Sequence, residues 1–123
     1  EQFPNLKLLY AESQIGWIPY FIERADDTWQ THQWAQGEKR IPNPPSYYYK
    51  KHVYSCFFKD TVGIDLLDRI GEDNVLFETD YPHQDGTFPN TLAIAEDLFG
   101  HLGQETINKI ARNNAIKLFG LTL

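Results

Sequence analysis

The chain has 123 residues, with 11 basic and 17 acidic side chains and a formal net charge of −6 at pH 7. Because 41% of its residues are apolar and 15% aromatic, we expect one globular domain over residues 1–123 rather than a disordered chain. The acidic balance argues against nucleic acid and anionic membranes as partners, since both favour a basic surface. The single cysteine excludes an internal disulfide and a cysteine-rich zinc module, and it favours a reducing, cytoplasmic location.

The hydropathy and the N-terminus add two expectations. No run of about 18 apolar residues occurs, so the sequence predicts no membrane span. The chain begins EQFPN, which resembles neither a signal peptide nor a methionine start, and it contains no Met. We therefore expect a piece of a longer protein, with removal of the initiator methionine and the residues after it by processing as the alternative.

Apolar periodicity and turn residues divide the chain into alternating strands and helices. A short apolar run over 6–11 predicts a buried strand, and from Trp17 the apolar positions follow helical spacing, with Pro19 tolerated in the first turn. The proline-rich segment 37–46 predicts a long loop, and residues 53–58 predict a second strand. The remaining predicted elements are a helix capped by Asp60 or Thr61 and ended by Gly71, a strand over 74–79, a helix capped by Asn90 or Thr91, and a last helix from about Gln104 to Gly120.

This alternation is typical of parallel strands joined by right-handed crossovers. Three such strands cannot close a barrel, and an open parallel sheet with helices on one face leaves its other face uncovered. A complete (β/α)8 barrel takes about 250 residues, so the chain is close to half of one in length. The expected fold class is α/β, with about three β/α units of a TIM barrel.

Two acidic residues, Glu12 and Asp80, follow the first and third predicted strands. The carboxyl ends of parallel strands form the active face of barrels and open sheets, and a carboxylate there can bind a metal ion or transfer protons. In the alternative interpretation, Asp80 caps the turn before Tyr81, and Glu12 is a hydrogen-bond acceptor where the next helix begins.

Among the histidines, His83 is the one placed to reach the strand ends, where it would line a substrate pocket. No His-x-His or His-x-x-x-His arrangement occurs, so the chain has no self-contained metal motif. Arg24 either forms an exposed ion pair with Glu23 or Asp27, or anchors a substrate carboxylate. Surface or helix-end roles are expected for His32, His52 and His101.

Two further features favour a structural interpretation. Cys56 lies among aromatic residues in the second predicted strand, which is typical of a buried, inert thiol. The run Tyr47-Tyr48-Tyr49 is expected to pack the long loop against the helices, with the wall of a substrate pocket as the alternative.

Three segments of the chain resemble the C-terminal part of the amidohydrolase-related family, whose decarboxylase branch is typified by aminocarboxymuconate-semialdehyde decarboxylase. They are Phe3-Pro4-Asn5-Leu6-Lys7, Thr79-Asp80-Tyr81-Pro82-His83, and the stretch from Asn113 to Leu121. The resemblance implies a distorted (β/α)8 barrel with one divalent metal ion, for which zinc is expected. It also implies that Asp80, which matches the aspartate of the eighth strand, is a metal ligand and a proton-transfer group.

The chain departs from the family pattern in two respects. The histidine pair of the first strand and the histidine of the fifth have no counterpart here, so the ligand set is incomplete. Where the decarboxylases carry His-Gly-Gly after the sixth strand, this chain has Ala11-Glu12-Ser13-Gln14. Glu12 thus replaces a histidine, and because it is negatively charged at neutral pH, hydrolysis is expected as much as decarboxylation.

The resemblance implies the C-terminal portion of a hydrolase or decarboxylase that acts on a small carboxylate or amide-like substrate through a metal-activated water. Asp80 and Glu12 would transfer the protons. The alternative is a non-catalytic fragment that folds by pairing its open sheet with another copy of the chain or with the missing barrel half. The expected partners are therefore a small molecule and either a second copy or the remainder of the barrel.

Overall fold

The computed structural model describes residues 2–37 and 40–122. It contains three short parallel strands that are separated along the chain by helices. The strands are β1 (Leu8–Tyr10), β2 (Val53–Phe57) and β3 (Val75–Phe77). The helices are α1 (Ile18–Thr31), α2 (Pro45–His52), α3 (Thr61–Asp65), α4 (Leu67–Ile70), α5 (Thr91–Phe99), α6 (Gln104–Asn108) and α7 (Asn114–Phe119). Within these described residues, no helix combines the length and the hydropathy of a transmembrane segment.

The strands pair in the order β1-β2-β3, with Leu8 opposite Val53 and Ser55 opposite Val75. Each strand thus lies beside the next one along the chain, and the pairing is parallel throughout. This confirms the prediction of successive β/α units. The carboxyl ends of all three strands consequently meet at one edge of the sheet.

Side chains that alternate along the strands divide the core between the two faces of the sheet. On the face covered by most helices, the rings of Phe57, Phe77 and Phe99 pack edge to face, with centroids 5.2 to 6.0 Å apart. The buried members of this main core are Ile15, Ile18, Tyr49, Phe57, Ile64, Leu67, Ile70, Val75, Phe99 and Ile110. The opposite face carries a smaller cluster of Tyr54, Cys56 and Leu76, against which Ala115 and Leu118 of α7 pack.

Strand β1 lies where the sequence predicts it, but the expectation that it is buried is wrong. Leu8, Leu9 and Tyr10 are 45%, 38% and 48% exposed. The reason is that, among the described residues, β1 packs mainly against β2, whereas β3, at the other edge of the sheet, is also covered by α7 and the helical turn before it. Its apolar composition is that of an interior strand, while its surroundings are those of an open edge.

Helix α2 is absent from the sequence-based assignment, which placed a loop over 37–46. The helix begins at Pro45, where the missing N–H of proline costs no hydrogen bond. The backbone N–H of Ser46 donates to Oδ1 of Asp26 at 2.8 Å, so the first turn of α2 is tied to α1. This helix buries Tyr49 in the main core and leaves Tyr47 exposed, so the tyrosine run packs from a helix and not from a loop.

The helix predicted after β2 is interrupted at Leu66 and forms α3 and α4. Asp60 caps α3, as predicted, by accepting a hydrogen bond from the Gly63 N–H at 2.8 Å. Its other oxygen, Oδ2, accepts from the N–H groups of Ile15 and Gly16, both at 2.6 Å. One carboxylate therefore joins the entry of α1 to the entry of α3.

The last predicted helix contains a π-helical turn, Lys109–Asn113, between α6 and α7. Immediately after it, the buried Asn114 donates through Nδ2 to the carbonyl oxygens of Glu72 and Val75, at 2.7 and 2.8 Å. Gly120, with φ 62°, ends α7 in the left-handed conformation that glycine adopts readily. Asn114, within the C-terminal segment that carries the family resemblance, thus fastens this helix to β3.

Candidate functional site

The turn that follows β1 places Glu12 at the carboxyl edge of the sheet. Glu12 and Gln14 have φ angles of 55° and 54°, in the left-handed region that non-glycine residues rarely occupy. The N–H of Glu12 donates to Oε1 of Glu78 at 2.7 Å, and Oε1 of Gln14 accepts from the N–H of Phe58 at 3.3 Å. The turn is therefore tied to the ends of both other strands.

Asp80 lies just beyond β3, at the same edge of the sheet, and also has a positive φ of 53°. Its side chain is only 10% exposed, and Oδ2 lies 2.9 Å from Nδ1 of His83, whose own side chain is 64% exposed. The loop folds back closely at Gly86, where a Cβ would lie 2.7 Å from the carbonyl oxygens of Thr79 and Asp80. The structure thus brings Asp80 and His83 together, as their spacing predicts.

Glu78 is the third acidic residue at this edge, and the sequence-based assignment treated it only as part of a strand. The pKa of Glu78 is raised, and burial is the largest cause. The nearby carboxylates of Asp80 and Glu12 also raise this pKa, whereas hydrogen bonds from the Glu12 N–H and the Cys56 thiol lower it. The signal in the sequence is its alternation with Leu76, which places a carboxyl group on the strand face opposite the main core.

The Cys56 thiol borders this group of carboxylates. Burial, together with the neighbouring Glu78 carboxylate, raises the pKa of Cys56 to about 12. The thiol is therefore protonated at neutral pH. This is consistent with the prediction of an inert cysteine.

The described residues do not form a complete metal site. No group of three His, Cys, Asp or Glu side chains within 2–37 and 40–122 is placed to hold a metal ion. Asp80 offers an oxygen donor of the kind that divalent cations bind, but a catalytic site of the zinc type takes three protein ligands. The described residues therefore do not supply the ligand set of such a site by themselves.

The other predicted residues lie away from Glu12 and Asp80 or have local partners. Arg24 lies in the middle of α1, where its guanidinium forms an exposed ion pair with Asp27 at 2.7 Å. Among the described residues, no hydrogen bond or ion pair joins Arg24 to the acidic group of Glu12, Glu78 and Asp80. The ring nitrogens of His32 and His52 lie at hydrogen-bond distance from backbone carbonyls, and His101 is exposed.

Parallel strands in sequential order, with acidic residues beyond the carboxyl ends of the first and third, are the arrangement of a portion of a parallel β/α barrel. The chain belongs to the amidohydrolase family, because the family model described as amidohydrolase matches residues 1–121. This confirms the resemblance and the predicted fold class.

Solved structures show the same fold. The 5-carboxyvanillate decarboxylase LigW from Sphingomonas paucimobilis is 18% identical, with a TM-score of 0.79 over 98% of this chain and 36% of its own. An amidohydrolase from Mycobacterium avium subsp. paratuberculosis is 27% identical, with a TM-score of 0.73 over 97% of this chain and 29% of its own. A dihydroxybenzoic acid decarboxylase from Polaromonas sp. JS666 is 25% identical, with a TM-score of 0.66 over 98% of this chain and 35% of its own. That structure contains manganese and the inhibitor 2-nitroresorcinol. The chain thus spans roughly a third of the length of each of these proteins.

Proposed function

We propose that the chain forms the C-terminal portion of a metal-dependent amidohydrolase-family enzyme, a hydrolase or decarboxylase acting on a small carboxylate or amide-like substrate. The observation that carries this proposal is the position of Asp80. Its largely buried carboxylate lies at the carboxyl end of β3, beside His83 and in the same acidic group as Glu12. This is the end of a β/α barrel at which catalytic residues converge.

The proposed roles follow from the surroundings of each side chain. Asp80 would supply one metal ligand and hold a proton during the reaction, since its carboxylate is fixed by His83. Glu12, which is exposed, would act as a second proton-transfer group. His83 would contact the substrate. Arg24 would bind a substrate carboxylate only by exchanging its ion pair with Asp27.

The cofactor in this proposal is a divalent metal ion. Manganese in the Polaromonas decarboxylase supports a divalent cation, and zinc remains the expectation from the family resemblance. Because the described residues offer only part of a ligand set, the remaining ligands would come from the rest of the parent protein. Asp80 would be this chain's contribution.

Broadening of nuclear magnetic resonance signals by paramagnetic Mn²⁺ tests the role of Asp80 on this chain, because it detects weak binding of the ion to an incomplete ligand set. We expect substoichiometric Mn²⁺ to broaden the amide signals of residues 79–83, and Asp80→Asn to abolish this effect. Asp85→Asn is the matched control, since Asp85 is exposed on the same loop and, among the described residues, only its backbone oxygen accepts a hydrogen bond, from Lys59. Broadening that survives in Asp80→Asn would remove Asp80 from the ligand set.

The complete parent enzyme tests the activity. With substrate found by screening aromatic carboxylates and amides, Asp80→Asn should lower turnover by at least about 100-fold, as expected when a metal ligand or general base is lost. Asp85→Asn should leave turnover unchanged. Undiminished turnover in Asp80→Asn would contradict the proposed mechanism.

A second candidate is a non-catalytic chain that is stable only when its open sheet is paired. The observation that favours it is the exposed edge strand β1, next to an apolar groove of about 510 Å³ that includes Phe3, Leu6 and Phe21. Light scattering on the purified chain tests pairing with a second copy. A dimer that Leu8→Lys converts to monomer would support it, and a monomeric wild-type chain would contradict it.

A further inference from the structure

Glu78 is close to both acidic residues to which the proposed function assigns chemistry, Glu12 and Asp80. Its Oε1 accepts the hydrogen bond from the Glu12 N–H at 2.7 Å. Its own N–H donates to the carbonyl oxygen of Phe57 at 2.9 Å, so Glu78 stays in register with the sheet. A single side chain therefore joins the turn after β1 to the end of β3, across the intervening strand β2.

The turn that carries Glu12 needs such a contact. A non-glycine residue with φ 55° is in a disfavoured conformation, which persists only where the surrounding structure holds it. The Gln14 side chain ties this turn to the residue after β2, by accepting from Phe58. The bond to Glu78 is the one hydrogen bond from Glu12, among those of the described residues, that reaches the segment bearing Asp80.

The geometry points to Glu78 as a positioning residue, whose carboxylate holds the Glu12 turn against the end of β3 and so fixes the separation of the Glu12 and Asp80 backbones. The carboxylate is already engaged, because its Oε1 accepts from the Glu12 N–H. It acts through Glu12, not on the substrate. The inference rests on the proposed function only in assigning chemistry to Glu12 and Asp80.

The hydrogen bond itself can be tested on this chain without metal or substrate. In the wild-type chain we expect a scalar coupling across the hydrogen bond, between the Glu12 nitrogen and the Glu78 carboxyl carbon. Hydrogen exchange of the Glu12 amide should be at least about tenfold faster in Glu78→Leu, but nearly unchanged in Glu78→Gln, which keeps the acceptor. Glu23→Leu is the matched control, because Glu23 is exposed on α1.

Two results would overturn the positioning role. One is equal exchange of the Glu12 amide in the wild type and in Glu78→Leu. The other is an undetectable coupling together with rapid exchange in the wild-type chain, a result that does not depend on whether any variant folds.

Kinetics in the parent enzyme distinguish positioning from a merely structural role. We expect Glu78→Leu to lower kcat/KM by at least about tenfold, and Glu78→Gln to restore it to within about threefold. Adding Glu12→Gln to Glu78→Leu should cause little further loss, since both changes disable the same group. The inference would be contradicted if the effects of Glu12→Gln and Glu78→Leu on kcat/KM multiplied in the double variant. It would also be contradicted if Glu78→Gln lowered kcat/KM as much as Glu78→Leu does. Mn²⁺ broadening that survives in Asp80→Asn would refute the proposed role of Asp80 but leave the exchange results standing.

Discussion

Replacing Asp60 by alanine tests how the carboxyl edge of the sheet is assembled. The Asp60 carboxylate accepts three backbone hydrogen bonds, from Ile15 and Gly16 at 2.6 Å and from Gly63 at 2.8 Å. These bonds fix the start of α1, which follows the Glu12 turn, against the start of α3. The alanine variant would leave three N–H groups without their acceptor.

The magnitude follows from these contacts. Loss of a helix cap costs about 0.5–2 kcal/mol, and a hydrogen bond to a charged group contributes about 1.5–3 kcal/mol. Because Asp60 is only half-buried, water replaces part of what is lost. We therefore expect Asp60→Ala to lower the free energy of unfolding by about 2–4 kcal/mol, and Asp60→Asn, which keeps one oxygen, by about 1 kcal/mol.

Urea unfolding followed by circular dichroism measures this difference. Asp65→Ala is the matched control, because Asp65 is an exposed aspartate on α3 itself, and it should change the free energy by no more than about 0.5 kcal/mol. If Asp60→Ala were as stable as this control, the three hydrogen bonds would not be holding the two helix entries together.

Three further predictions concern other parts of the chain. Asn114→Ala should lower the free energy of unfolding by about 2–3 kcal/mol, because two carbonyl groups lose their shared donor; urea unfolding measures this, and a wild-type midpoint would contradict it. Cys56, with a pKa of about 12, should react with a disulfide reagent at pH 8 far more slowly in the native than in the urea-unfolded chain, and equal rates would refute its burial beside Glu78. The pKa of Glu72 is lowered mainly by its hydrogen bond from Lys109, so the stabilisation is present above the unfolded-state pKa and is lost as the pH falls through the folded-state pKa. Lys109→Met should therefore flatten the decline in stability between about pH 5 and pH 3, and an unchanged slope would show that the pair contributes nothing.

Much of the fold is predictable from local patterns in the sequence. The runs around Leu8, Val53 and Val75 have the composition of strands in a parallel sheet, and the structure places a strand at each of them. Asp60 is an acceptor directly before an apolar helical pattern, and it caps that helix. Such features depend on short stretches of chain, so the sequence alone specifies them.

The misjudged features depend on contacts between distant segments. Helix α2 was missed because its proline-rich start reads as a loop, whereas the Asp26 carboxylate fixes that start from another helix. The exposure of β1 depends on which distant helices and strands cover it, since β3 at the other edge of the sheet is covered by α7 and is buried. Glu78 was overlooked because its importance comes from the Glu12 amide, 66 residues earlier in the chain.

The π-helical turn at Lys109–Asn113 sets the length of the C-terminal helical segment. This turn takes up about one residue more than an α-helical turn, so the same residues wound as α-helix throughout would rotate everything that follows by about 100° and shift it by about 1.5 Å. Asn114 would then face away from its two carbonyl partners, and Ala115 and Leu118 would leave the smaller cluster on the sheet. Without the π-helical turn the segment would thus still form a helix, but with the wrong side facing the sheet.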